Sequence, residues 1–200
     1  MVGIDSTFVG LMLHPAAKPC LDPATGKPTT QIAERVDKLM EELDTAREKI
    51  IFPTPALTEF LVLTGRDAPQ YLSDLALMRS ILIKPFDQLA AIELAAMELL
   101  ARGKGNKRFP VGDTVPWQKV KIDRQIVATC KVHGAHTIYS DDKDVYAFAD
   151  VVGIKVVRCW ELPVPPSKTP LFDSLPDPTP EFTSELRPVR RIILEDEGKK

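Results

Sequence analysis

Short β-branched runs alternating with longer segments of helical period constrain this chain more than any other feature. The runs cover residues 2–4, 50–52, 81–83, 137–139 and 154–157. Between them, residues 31–49 set Ile32, Val36, Leu39, Met40 and Leu43 on one stripe, with Thr30 as the expected N-cap. Residues 55–63, 68–79, 87–102, 120–133 and 143–152 read as further helices, and Gly103, Gly134 and Gly153 as stops. Strands alternating with helices predict a three-layer α/β/α sandwich with a central, mostly parallel sheet. In such sheets ligands gather outside the carboxyl ends of the strands. The residues directly after each run are therefore where chemistry is expected.

Proline marks a second region. Eight of the 18 Pro fall in residues 161–200, a spacing that forbids long helices and central strands. The chain thus divides into an α/β domain over 1–160 and a Pro-rich C-terminal arm over 161–200. Two segments interrupt the alternation within the domain. Residues 15–28, with Pro15, Pro19, Pro23 and Pro28, read as an ordered excursion or a mobile loop. Residues 102–124 carry seven Lys/Arg against two Asp, an excess of five positive charges. That stretch is either a solvated face or a phosphate-binding rim. Trp160 and the three Tyr read as core or edge packing, whereas Trp117, within this stretch, is the one to test for stacking on a base.

Composition excludes several classes. With 26 Lys+Arg against 28 Asp+Glu, no whole-chain basic excess points to nucleic acid, so any such role must be local. Cys20, Cys130 and Cys159 are odd in number and widely spaced, which argues against a disulfide framework and for a reducing, cytoplasmic interior. No apolar run reaches the roughly 18 residues of a membrane span.

Acids recur at the strand ends. Asp5 follows the first run, and Glu59 lies in the helix after the second. Ser140, Asp141, Asp142 and Asp144 follow the fourth, and Asp123 sits in the helix before it. Each has an ordinary explanation: Asp5 and Asp142 as N-caps, Glu59 as a helix-dipole partner, Asp123 as a solvated residue. Together at one end of one sheet they are better explained as a single pocket. Clustered carboxylates need a counter-charge, and hard oxygen donors select Mg²⁺ or Mn²⁺ over zinc. Such a site suits metal-assisted hydrolysis of phosphodiesters.

Four segments in order carry a resemblance. They are Val2-Gly-Ile-Asp5-Ser-Thr7, Thr54-Pro-Ala-Leu-Thr-Glu59-Phe-Leu, Ile122-Asp123-Arg-Gln-Ile-Val-Ala-Thr129, and Gly134 through Ser140-Asp-Asp142-Lys-Asp144 into residues 153–157. In these pieces the chain resembles the PIN-domain family, close to VapC-like toxins, over most of 1–160 and none of the arm. The resemblance implies a PIN-like fold and a Mg²⁺- or Mn²⁺-dependent endoribonuclease, with RNA as substrate and a cognate antitoxin-like inhibitor as partner. It makes Asp5, Glu59, Asp123 and Asp142 the catalytic metal-pocket acids. Asp144 stands where the family often has a further acid, and Ser140 where a supporting hydroxyl stands. Thr7 replaces a residue that is commonly Asn. Asp141 beside Asp142 leaves the fourth ligand open between them, with Asp142 favoured because it lies two residues after Ser140.

In this reading Lys104, Lys107, Arg108, Lys119, Lys121 and Arg124 contact RNA phosphates. The apolar helices at 68–79 and 87–102 offer a homodimer surface. Two alternatives stand beside it: a catalytically silent member that binds RNA or protein, and a phospho-receiver switch. Lys84-Pro85 suggests the switch, but no Asp directly follows residues 81–83, so the order is wrong for a receiver.

Overall fold

The structure is a computed structural model that describes residues 1–13, 17 and 20–165. Positions 14–16 and 18–19 of the Pro-rich excursion and residues 166–200 of the predicted arm lie outside the described residues.

Five strands form one sheet: β1 (Val2–Ile4), β2 (Ile50–Pro53), β3 (Ile81–Lys84), β4 (Thr137–Tyr139) and β5 (Lys155–Val157). Their order is β3-β2-β1-β4-β5, and every neighbouring pair is parallel. Among the described residues the helices are α1 (Ser6–Leu13), α2 (Ile32–Thr45), α3 (Thr54–Thr64), α4 (Ala68–Leu77), α5 (Gln88–Gly103), α6 (Trp117–Val132) and α7 (Lys143–Val151).

Alternation along the strands divides the core, because successive side chains leave opposite faces. Ile50 and Phe52 join Val2, Ile4, Phe8, Val36 and Phe60 on one face of the sheet. Ile51 joins Val127, Ile138, Phe148 and Val156 on the other. Both faces are thereby covered, giving the expected three layers with β1 at the centre. Gly3 lets α6 approach this central strand. A Cβ added there would lie 2.5 Å from Cys130 Sγ.

Several expectations need correction. Ser6–Leu13 was not among the segments read as helices, although the N-cap reading of Asp5 implied one, because its sequence lacks the polar stripe of an amphipathic helix. Asp5 starts it: Asp5 Oδ1 accepts a hydrogen bond from Phe8 N at 2.8 Å, in the manner of an N-cap. Helix α2 begins after Gln31, which is left-handed at φ 53°, so Thr30 is not its cap. It ends at Thr45, and Arg47 turns left-handed at φ 54°, short of the predicted end at Lys49. Helix α6 begins directly after Pro116, three residues before the expected start at 120, so Lys119 stands on the same helix as Lys121 and Arg124.

The expectation of unpaired cysteines is also corrected. The excursion folds back through a Leu21–Pro28 bridge, and Cys20 meets Cys159 in a disulfide. Cys130 is free and buried. At the predicted domain boundary, Leu162 is buried and its carbonyl accepts a hydrogen bond from Arg35 Nη1. The compact unit runs Met1–Pro165. Among the described residues, no helix is long and apolar enough to cross a membrane.

Candidate metal centre at the strand ends

Three acids converge where β4 passes into α7. One carboxylate oxygen each from Asp123, Asp142 and Asp144 lies within 4.8 Å of the others. The local sequence explains how α7 contributes two of them. Asp142 caps α7, its Oδ1 accepting from Asp144 N at 2.7 Å. That bond leaves Oδ2 of Asp142 facing inward, beside Asp144 in the first turn. Asp123 enters from α6 and is 3% exposed, so it is held in the pocket rather than solvated.

A cation already stands among these acids. Lys119 Nζ lies 2.6 Å from Asp123 Oδ2, 2.8 Å from Asp142 Oδ2 and 2.9 Å from Asp144 Oδ2. Lys119 and Asp123 are one helical turn apart, the spacing at which opposite charges meet. Burial works to lower the Lys119 pKa, but hydrogen bonds to the three carboxylates raise it above the ordinary lysine value.

The remaining acids surround this triad. Ser140 Oγ donates to Asp5 Oδ2 and accepts from Asp142 N at 3.1 Å, so one hydroxyl joins the ends of β1 and β4. Glu59 Oε2 accepts from Ser6 Oγ at 2.9 Å, linking α3 to α1. Burial pushes the Asp5 carboxyl up to about 7. Hydrogen bonds from Ser140 and Phe8 oppose that shift, and the charges of Asp141 and Asp142 add to it. Burial likewise pushes Asp123 up to about 7, against the pull of Lys119 and with the repulsion of Asp142 and Glu59. The Asp142 charge thus acts on both Asp5 and Asp123, and these two carboxyls resist ionisation.

Asp141 points elsewhere. Its Oδ1 accepts from Cys159 N at 2.7 Å, in the 3-10 turn Cys159–Glu161. Thr7 is exposed, and the neighbouring Ser6 supplies the hydroxyl that reaches an acid. Ser6 could have been suspected from its place beside Asp5, since a short hydroxyl next to a pocket acid is well placed to bond another.

The predicted RNA-contact set separates into four groups. Lys104 and Lys107 are exposed, and Lys107 Nζ lies 5.2 Å from the Trp117 ring centroid. Arg108 and Lys121 are half-buried, with Arg108 Nε donating to Val115 O at 2.9 Å. Lys119 belongs to the acid cluster, as described. Arg124 is 1% exposed and cannot face RNA, which corrects that expectation. Its Nη2 donates to Lys107 O at 2.8 Å and Phe109 O at 2.9 Å, pinning the basic loop to α6. Trp117 is half-buried between the Lys107 and Arg124 cations.

A cleft of about 330 Å³ opens beside Glu59. Thr54, Thr58, Glu59, Phe86, Ile122 and Gln125 line it. It offers an aromatic ring, amide and hydroxyl groups next to a carboxylate.

Comparison with solved structures finds VapBC2 from Rickettsia felis bound to a DNA fragment from their promoter. It is 13% identical at a TM-score of 0.49, covering 79% of this chain and 98% of that chain. DNA-bound VapBC from Salmonella typhimurium is also 13% identical at a TM-score of 0.49, covering 80% of this chain and 99% of that chain. No family model and no curated protein matches the chain.

Proposed function

We propose that this chain is a PIN-like endoribonuclease that depends on Mg²⁺ or Mn²⁺, toxin-like and controlled by a partner protein. The observation that carries this reading is the convergence of Asp123, Asp142 and Asp144 within 4.8 Å at the carboxyl ends of a parallel sheet. Asp5 and Glu59 flank them. The donor set fits a hard dication: all are carboxylate oxygens, and no sulfur or imidazole is among them. An ammonium in contact with all three acids marks the same place as cation-selective. In this reading Asp123, Asp142 and Asp144 would hold the metal in place of Lys119, with Asp5 and Glu59 as the neighbouring acids.

A dication there lowers the pKa of a bound water and balances charge on the phosphate oxygens. The chain's own groups do the rest. Ser140 holds Asp5 in place, and Ser6 holds Glu59. The cleft lined by Phe86 and Gln125 takes a nucleotide next to Glu59. Lys104 and Lys107 contact the phosphate backbone and offset its repulsion by the pocket. Single-stranded or loop RNA suits such an open groove better than a duplex. Exposed Val62, Leu63 and Leu77, on α3 and α4, are consistent with cover by another protein.

A second reading is a catalytically silent module. The observation favouring it is Lys119 itself, which satisfies the three acids without a metal.

One experiment separates the two. A single-stranded RNA is incubated with the protein in Mg²⁺, in Mn²⁺ and in chelator. Expected is metal-dependent cleavage that Asp123→Asn abolishes. Metal binding without cleavage would favour the silent module, and cleavage that persists in chelator would overturn the metal-nuclease reading.

A further inference from the structure

The acid pocket is not the only group of potential metal ligands. Cys20 Sγ, Cys159 Sγ and a carboxylate oxygen of Asp141 lie within 4.8 Å of one another. Three independent observations make this more than two cysteines in contact. First, Asp141 Oδ2 is buried and has no hydrogen-bond partner, although Oδ1 is satisfied by Cys159 N. A buried carboxylate oxygen without a partner is costly. Second, the Cys20 and Cys159 Cα atoms are 6.9 Å apart, just beyond the range of about 4.4–6.8 Å that most disulfides span. Third, Thr29 braces Cys20. Thr29 Oγ1 donates to Cys20 O at 3.0 Å and lies 3.2 Å from Cys20 Sγ, and Thr29 is 7% exposed.

We propose that, in the reduced chain, Cys20, Cys159 and Asp141 form a second metal site, for a Zn²⁺-class cation. Two thiolates and one carboxylate suit zinc and not magnesium. The cation would lie on the Asp141 carboxylate, whose Oδ2 has no hydrogen-bond partner. The disulfide is the oxidised form of the same site. A dithiol reductant transfers two electrons and two protons to the S–S bond, giving two thiols and an oxidised dithiol. Binding of the dication then releases the two thiol protons.

The placement gives this site a consequence. Asp141 lies between Ser140, which holds Asp5, and Asp142, which faces Lys119. A cation on Asp141 would fix the turn that carries both. It would also tie the excursion after Cys20 to the turn after β5. The site is chemically distinct from the carboxylate pocket and does not depend on nuclease activity.

The test uses the full chain, reduced with a dithiol, stripped of metal, freed of reductant under inert gas and titrated with Co²⁺. Expected is a sulfur-to-cobalt charge-transfer band that saturates at one equivalent, with two of the three thiols protected from alkylation. Cys20→Ser and Cys159→Ser should lose the band, and Cys130→Ala should keep it. Asp141→Asn should keep thiolate absorption but bind more than about tenfold more weakly, since losing even an outer partner of a metal ligand costs that much. Co²⁺ bound with no charge-transfer band would place the metal on carboxylates alone and overturn the proposal. So would reduced protein that takes up no Co²⁺, or a disulfide that resists the dithiol while the chain stays folded. The titration of the unaltered chain decides the matter even if a variant fails to fold.

Discussion

Lys119 and Asp123 stand one turn apart on α6, with the ammonium 2.6 Å from the carboxylate in the midst of two further acids. The lysine thus holds the position that the proposed divalent ion would take, so the two cations would compete. Lys119→Met should destabilise the metal-free protein by about 1 kcal/mol, a small figure because the lysine side chain is 38% exposed and partly screened. That corresponds to a fall of about 2–4 °C in melting temperature. Saturating Mg²⁺ should then raise the variant's melting temperature more than the parent's, because only native-state binding stabilises. Equal Mg²⁺ shifts in the two proteins would show that no competition exists.

Asp5 makes stability depend on pH in a definite direction. Its carboxyl titrates near 7 when folded, against an ordinary value of 3.8. Between those values the unfolded chain has lost the proton and the folded chain keeps it. Stability is therefore greatest below the ordinary value, falls as pH rises towards 7, and levels off above. The three-unit difference is worth on the order of 4 kcal/mol at about 1.4 per unit. Asp5→Asn removes this loss while retaining a residue that can cap α1. Urea unfolding in chelator should show the variant gaining on the parent between about pH 4 and about pH 7.5. Asp123, shifted the same way, leaves part of the slope in place. A constant difference across that range would rule out a buried, proton-holding Asp5.

Gly3 tests the contact between β1 and α6. An added methyl would meet Cys130 Sγ at 2.5 Å and Ile138 Cγ1 at 3.2 Å. Gly3→Ala should cost about 1–3 kcal/mol, as overpacking does. Cys130→Ala removes the nearer obstacle, so the double variant should recover part of that loss. Additive losses in a double-mutant cycle would place the strain elsewhere.

The basic segment should divide by position. Replacing Lys104, Lys107 and Arg108 together by Ala should weaken RNA binding and flatten its dependence on salt, by roughly 0.7 in the log–log slope for each lost phosphate contact. Arg124→Leu should instead lower stability, because the Lys107 and Phe109 carbonyls lose their donor at about 1–3 kcal/mol for each buried group left unpaired. An unchanged salt slope in the triple variant would mean that the exposed lysines form only a solvated face.

Much of this arrangement was legible in the sequence, for physical reasons that also explain what was not. Residues 50–52 and 137–139 announced themselves as strands because β-branched side chains buried on both faces need no polar alternation. Asp5 was legible because it follows such a run directly, and Asp142 because it lies three residues after the end of another. Helix α1 was not, since a helix packed into the core lacks a polar stripe. The position of Lys119 was half legible: its spacing to Asp123 is local, but Asp142 and Asp144 reach it only through the tertiary fold. Arg124 was misplaced for a similar reason. A charge count cannot distinguish a guanidinium on the surface from one buried against two loop carbonyls. The meeting of Cys20 with Cys159 depends on how the Pro-rich excursion folds back, and spacing alone says nothing of that.

The position of β1 bears on how the molecule is made. Of the five strands of this sheet the first to be made is the central one, and its two neighbours arrive at different times. Its pairing with β2 at Ile50 can form early, whereas its pairing with β4 begins at Thr137. Until that late segment emerges, one edge of β1 has no hydrogen-bond partner and the face of Gly3 has no α6 to cover it. Pairings this distant in sequence make for slow folding. An open strand edge on a nascent chain also invites pairing with the wrong partner. Synthesis therefore leaves a long interval in which the half-made sheet needs shielding, and the acids gather into one pocket only when that interval closes.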